Sequence, residues 1–202
     1  MIILIILLII GLIAAFLLNF YRDPYRKITA GNYIVSPADG KVISIMKLSG
    51  KDEIKIRKGL IGKIRTMTSD IGNDCYVVSM FMSPFDFHIN RSPIKGTIKS
   101  IKYKRGKFFK AYDMEKSLEN EKNEITISNN KIKVKVIQIA GFLARKIICD
   151  VKENQKVNKG QKIGMIALGS QTTLIMPAGV ELKVSLNDKV KAGQTIMAEV
   201  NN

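Results

Sequence analysis

Few residues in this chain can do chemistry, and their scarcity narrows the possibilities. There is one histidine, His88, and there are two cysteines, Cys75 and Cys149. A single histidine excludes HExxH and two-histidine zinc sites, and no CxxC pair is present, so no metal is expected. The cysteines lie in the apolar runs CYVVSMF and KIICD and read as buried, inert thiols. A different signal sits in IALGSQTTLIMP, residues 166–177, where Gly169 and Ser170 interrupt an apolar run. Glycine weakens a strand and marks a bulge or a close backbone approach. A serine nucleophile needs a proton acceptor and a stabiliser for the oxyanion it creates. With no second histidine, the acceptor is His88 or a carboxylate. His88 lies in MSPFDFHINRSP, which reads as an irregular polar segment, and a lone histidine is more often structural than catalytic. Asp39, in SPADGKV, is such a carboxylate, although an Asp-Gly turn is its plainer reading. Thr172 occupies the position where G-x-S-x-G needs its second glycine, which argues against a serine hydrolase.

The elements that must position these residues are short strands. β-branched runs separated by Gly, Pro, Asn or Asp predict strands at 41–47, 75–81, 97–103, 124–128, 131–139, 162–167, 172–176, 181–186 and 195–200. KIKVKVIQI alternates, with lysines expected on a wet face and Ile and Val inside. Helix signal in the body is thin: residues 84–87 and 142–146 each fit a short turn, and MEKSLENEKNE fits helix or loop. An internal repeat organises the C-terminal third. VKENQKVNKGQKI, 151–163, matches VSLNDKVKAGQTI, 184–196, at an offset of 33. The shared pattern is similar to the hairpin of biotinyl/lipoyl-like domains. The expected fold is therefore mainly β, a barrel-sandwich, lipoyl-like and internally repeated core, in which each unit buries the face the other cannot.

The N-terminus differs from all of this. MIILIILLIIGLIAAFLLNF carries no charge and is long enough to span a bilayer. It lacks the basic start and small-x-small site of a cleaved signal peptide. Residues 1–21 read as a retained transmembrane helix and 22–202 as the body. Arg22, Arg26 and Lys27 follow directly and place that body on the cytoplasmic side of a cell membrane. The net charge of +16 suits a polyanionic partner. No nucleic-acid module is present, so an anionic lipid surface is the partner expected, not nucleic acid.

With these segments in hand, the chain resembles the short form of the phosphatidylserine decarboxylase family. FYRDPYRK, VSPADGKV, MSPFDFHINRSPIKG, YKRGKFFKA, NEKNE, QIAGFLARKI, KVNKGQKIGMI and LGSQTTLIMP carry the resemblance, in order, over residues 20 to about 185. It implies that the chain makes its own prosthetic group. Ser170 attacks the Gly169 carbonyl, the chain is cut, and residue 170 becomes a pyruvoyl group. The products, 1–169 and 170–202, stay together as a heterodimer of cleavage chains. The pyruvoyl is the sole cofactor implied, and the substrate is an anionic phospholipid with a serine headgroup, converted to its ethanolamine counterpart. The resemblance also makes His88 and Asp39 candidates for assisting self-cleavage or protonating substrate. Long forms have His-Arg-Val-His where this chain has His88-Ile89-Asn90-Arg91, so one histidine is missing. Long forms also read Leu-Gly-Ser-Thr, where this chain has Gln171 after the serine. Arg91 and Arg145 are either phosphate ligands or solvated charges.

Two other readings compete. A membrane-anchored lipoyl-like adaptor explains the anchor and the repeat but gives Gly169–Ser170 no purpose, and no coiled-coil heptads accompany it. A lipoyl or biotin carrier needs a lysine flanked by methionines at a hairpin tip, and there is none.

Overall fold

A computed structural model of the chain describes residues 1–49, 53–58, 62–67, 70–105, 121–140, 146–167 and 170–200. Among the described residues the one helix is α1 (Ile2–Tyr21), apolar along its length up to Asn19 near its end. The helix ends where Arg22 turns extended, at ψ 143°, ahead of Pro24. Proline disfavours helical geometry in the residue before it and offers no N–H to continue the ladder.

Strands make the rest: β1 (Tyr33–Val35), β2 (Gly40–Ser49), β3 (Glu53–Lys58), β4 (Gly62–Met67), β5 (Asp74–Met82), β6 (Ile89–Arg91), β7 (Gly96–Lys104) and β8 (Lys122–Ser128). They continue as β9 (Lys133–Ile139), β10 (Ile147–Cys149), β11 (Lys156–Val157), β12 (Lys162–Ile166), β13 (Ser170–Pro177), β14 (Glu181–Leu182), β15 (Lys189–Val190) and β16 (Ile196–Glu199). The main sheet is antiparallel throughout and runs β11-β7-β8-β9-β13-β5-β2-β15. It curls into a half-barrel around Val78, Met80, Ile125, Ile127, Val134, Val136, Leu174 and Met176. The mainly β architecture with an apolar N-terminal helix is the one the sequence predicts.

The two repeats close that half-barrel from its opposite edges. Their Lys-Val pairs form the edge strands β11 and β15. Val151 and Val157 of one copy and Val184 and Val190 of the other point into the same core. Each buried aliphatic side chain of this kind contributes about 1.5–3 kcal/mol. The backbones repeat as well as the residues. Asn154 and Asn187 are left-handed at φ 66° and 74°, and Gly160 and Gly193 at 77° and 75°. Both glycine turns pack on Ile28, whose Cδ1 would lie 2.3 Å from a Cβ at 160 and 2.7 Å from one at 193. Glycine is required there by both conformation and space.

Four details differ from the sequence reading. Cys75 is buried, but Cys149 is exposed at the short strand β10. Residues 84–87 form a turn and not a helical one. The segment after His88 is not irregular: Ile89–Arg91 is a strand, paired with β12. Finally, the lysine face of β9 is wet only at its start, where Lys133 is exposed. Lys135 is buried, ion-paired to Asp70 at 2.7 Å and to Glu124 at 3.5 Å. A second apolar cluster, with Ile71, Cys75, Val77, Ile137, Ile139 and Ile175, lies on this outer face. Of the other proposed turn, 142–146, all but Lys146 lies outside the described residues, as does most of MEKSLENEKNE.

Candidate active site

Strand β13 begins at Ser170, whose backbone pairs with Met82 at the end of β5. The preceding strand, β12, ends at Ile166, whose N–H donates to the carbonyl of His88 at 3.2 Å. Two residues past Ser170, the Thr172 hydroxyl accepts from the Asn90 amide at 3.0 Å. A single stretch, Met82 to Asn90, therefore holds the chain on both sides of the 166–170 link. Gly169 lies outside the described residues, as does Arg145.

His88 occupies the middle of that stretch. Its ring is fully buried and lies on Phe20 of α1, with centroids 4.2 Å apart. Nδ1 sits 2.8 Å from the Asp86 carbonyl. A carbonyl only accepts, so Nδ1 carries the proton and Nε2 is left as the basic nitrogen. Among the described residues Nε2 has no hydrogen-bond partner. Burial pushes the imidazole below its ordinary 6.5, outweighing the opposing pull of the Asp86 carbonyl and charge. The ring is thus a neutral base at pH 7, aimed where no described group meets it. The Asp86 side chain fixes the turn, accepting from the Ser83 N–H at 2.8 Å and its hydroxyl at 2.7 Å.

Asp39 is close in the chain's topology but faces another way. One carboxylate oxygen meets Arg26 at 2.5 Å and the other accepts from Ala192 N–H at 2.7 Å. Burial raises its pKa, against the lowering effect of the Ala192 hydrogen bond and the Arg26 charge. Among the described residues no contact joins Asp39 to His88. Arg26 also donates to Gln194 at 3.0 Å. Asp39 and Arg26 together tie the segment after the anchor to the second repeat. Arg91 makes the matching tie to the first repeat, donating to the Gly160 carbonyl at 3.0 Å and pairing with Asp23. Its charge is already neutralised, which favours a clamp over a phosphate ligand.

Sequence reasoning missed a row of buried amides. Asn123 donates to Gln138, Gln138 to Asn90 and Asn90 to Thr172, at 2.9, 2.9 and 3.0 Å. All four residues are buried. Buried amides bonded in sequence help fix the arrangement of the strands carrying them, here with the Asn123 Oδ1 left without a partner among the described residues. The available signal was a polar residue at an inward position of an apolar strand, as in Gln138 of KVIQI. Phe20 and Arg26 were missed as well, having been read only as anchor and flanking charge. Among the described residues no group of three metal-ligating side chains exists.

The comparisons with known proteins now decide the family. The family model for phosphatidylserine decarboxylase matches residues 13–198. The chain belongs to the phosphatidylserine decarboxylase family. A protein of Methanocaldococcus jannaschii described as a putative archaetidylserine decarboxylase proenzyme is 45% identical over 184 residues, covering 91% of this chain and 89% of that protein. A phosphatidylserine decarboxylase proenzyme of Chlorobium phaeobacteroides is 42% identical over 183 residues, 90% and 78% of the two chains. One from Prosthecochloris aestuarii is 38% identical over 192 residues, 95% and 80%. Membership in a family of carboxy-lyases sets aside the adaptor and carrier readings. The relatives' description as proenzymes fits an enzyme that is processed before it acts.

Proposed function

We propose that this decarboxylase cuts itself between Gly169 and Ser170, and that residue 170 then carries the pyruvoyl group on which it decarboxylates a serine-headgroup phospholipid. The observation that supports this most is the pinning of Ile166, Ser170 and Thr172 by the one stretch, Met82 to Asn90, that also carries a buried, neutral and unpartnered imidazole nitrogen. Such an orphaned acceptor costs stability unless something uses it.

His88 Nε2 takes the proton from the Ser170 hydroxyl as its oxygen adds to the Gly169 carbonyl. The C–N bond breaks as His88 hands that proton to the serine nitrogen, and an ester replaces the amide. Loss of the Ser170 α-proton expels the Gly169 carboxylate and leaves a dehydroalanine at the new N-terminus. Water hydrolyses it, releasing ammonia and leaving the pyruvoyl. Its carbonyl supplies the electron sink for the departure of CO₂ from the serine headgroup. The chain's own residues position and protonate: Asn90 holds β13 through Thr172, and His88, whose carbonyl accepts from Ile166 N–H, carries the proton. Asp39 acts at a distance, fixing through Arg26 and Ala192 how the 170–202 product sits on the 1–169 product.

Helix α1 fits a membrane anchor by length and composition. We place the body on the cytoplasmic side, following Arg22 and Lys27. An anionic lipid is then both the substrate and the surface that the positive chain meets.

The test is intact-mass measurement together with CO₂ release. Wild-type protein yields two chains, split after residue 169, the shorter beginning with a pyruvoyl group. Ser170→Ala gives one chain of 22.6 kDa and releases no CO₂. Active wild-type protein with an uncut backbone overturns the reading. Vesicles of ester-linked and of ether-linked serine lipid, compared for CO₂ release, identify the tails accepted.

A further inference from the structure

We infer that the turn carrying Phe85 is a second membrane contact, seating its ring at the headgroup boundary of the bilayer that α1 enters. The inference rests on the membrane reading above and adds the depth and orientation of the body. A helix of 20 residues rises about 30 Å, the thickness of the hydrocarbon layer. Its last turn therefore lies at the boundary of that layer.

The body grips that last turn. Phe16 and Phe20 pack with Ile89 and Met165, and the Phe20 ring lies on His88. Residues 88–89 are consequently held at the depth of the headgroups. Phe85 is three residues away, on the turn that Asp86 fixes through Ser83. The turn is pinned to the segment leaving the membrane, because the Phe87 ring carries the guanidinium groups of Arg22 at 4.6 Å and Arg26 at 5.2 Å.

What this turn presents is apolar. Phe85 is 83% exposed and Tyr25 95%. Outside the helix and its capping Met1, these are the two most exposed large apolar side chains among the described residues. Scattered exposed apolar residues need no explanation, but both of these flank the point where α1 leaves the membrane. Tyr21, also exposed, and the cations Arg22 and Lys27 complete the aromatic and basic belt that marks a lipid interface. A bilayer is the occupant consistent with α1 continuing from this patch. Seated so, His88 lies level with the headgroups and its substrate need not leave the membrane plane.

The chain has no tryptophan, so Phe85→Trp in the full-length protein creates a sole tryptophan, excited at wavelengths the tyrosines do not absorb. The protein is reconstituted in vesicles of phosphatidylcholine with a minority of phosphatidylglycerol, with bromine near the top of the acyl chains. Trp at 85 is expected to emit to the blue of water-exposed tryptophan and to lose most of its emission to the bromines. Leu186→Trp, on an exposed repeat turn, serves as the unquenched reference. Quenching at 85 no greater than at 186 in protein that floats with the vesicles overturns the inference. So does a blue shift without quenching, which would put the ring against protein. Self-cleavage is scored by denaturing gel on the same samples. Quenched but uncut protein supports the membrane contact while the cleavage reading fails; cut but unquenched protein does the reverse.

Discussion

The molecule is built twice, but its chemistry is placed once. The segment from Asn32 to Gly40 and the segment from His88 to Gly96 make the same contacts, each with its own repeat. Ser36 Oγ donates to the Ala38 carbonyl and Ser92 Oγ to that of Ile94, both at 2.7 Å. Gly193 N–H donates to the Ser36 carbonyl and Gly160 N–H to that of Ser92, both at 2.8 Å. The two segments also bind each other reciprocally: Val35 N–H donates to Pro93 O at 3.0 Å and Arg91 N–H to Pro37 O at 2.9 Å. The residues carried on these matched backbones diverge. His88 stands where the other half has exposed Asn32, and buried Asn90 where it has buried Ile34. Buried Asp39 stands opposite exposed Lys95. A duplicated frame supplies rigidity on both sides of the 166–170 link, while a few substitutions on one side supply the imidazole proposed above as the proton acceptor. Fold and reactivity are therefore separable in this chain, and paired substitutions can separate them.

The largest separation is expected between His88 and Asn32. His88→Ala should slow self-cleavage by about 10²–10⁴-fold, the range of general-base catalysis, whereas Asn32→Ala should leave it unchanged. Timed gels of freshly translated protein measure both. The pH dependence adds a sign. Because burial lowers the His88 pKa below 6.5, the neutral base persists below pH 6.5, and cleavage should fall only at more acid pH. The same shift affects stability. Below pH 6.5 the unfolded chain gains a proton that the fold resists, so stability drops as pH falls from 6.5 toward the folded value. Cleavage that halves at or above pH 6.5 would remove His88 as the base.

How much of this was legible beforehand follows from what each residue's neighbours are. Strands and repeats follow from local period, so β5, β7, β8, β12 and β13 and the matched turns at Gly160 and Gly193 lie close to where the sequence put them. Lys135 did not, because Asp70 and Ile71, from a segment far away in sequence, reach its face of the sheet. A strand's own alternation has no record of what later covers it. The sequence carries S-P-x-x-G at both 36–40 and 92–96, but that these two segments bond to each other is a long-range fact. Likewise, Asn123, Gln138 and Asn90 look like ordinary polar residues until three strands bring them into one row. Arg26 shows the same limit: its charge near the anchor was expected, its bond to Asp39 was not.

A smaller effect is expected at Asp39 and Lys95. Both side chains of the Arg26–Asp39 pair are under a tenth exposed, at 8% and 9%. Removing one member of a buried pair strands the other, at about 3–5 kcal/mol. Asp39→Ala should lose that much in denaturant unfolding, with cleavage slowed far less than by His88→Ala. Lys95→Ala should stay within about 0.5 kcal/mol, as exposed positions do. Equal losses at the two sites would show that the halves are not specialised.

The smallest effects test the halves where they are most alike. Gly160→Ala and Gly193→Ala each place a side chain in left-handed backbone and against Ile28. Strain of this kind costs about 1–3 kcal/mol, and both losses should fall in that range. Because both methyl groups press on one residue, the costs should not be independent. Ile28→Ala removes the steric part and leaves the conformational part. In that background each glycine substitution should cost less, by about 0.5–1 kcal/mol of coupling between contacting residues. Unfolding in detergent, on a Ser170→Ala background that keeps one chain, measures every member of the set. If the loss at 160 falls in the Ile28→Ala background and the loss at 193 does not, the two turns do not share Ile28 as their common support. The closer approach at 160, 2.3 Å against 2.7 Å, makes that site the more sensitive of the two.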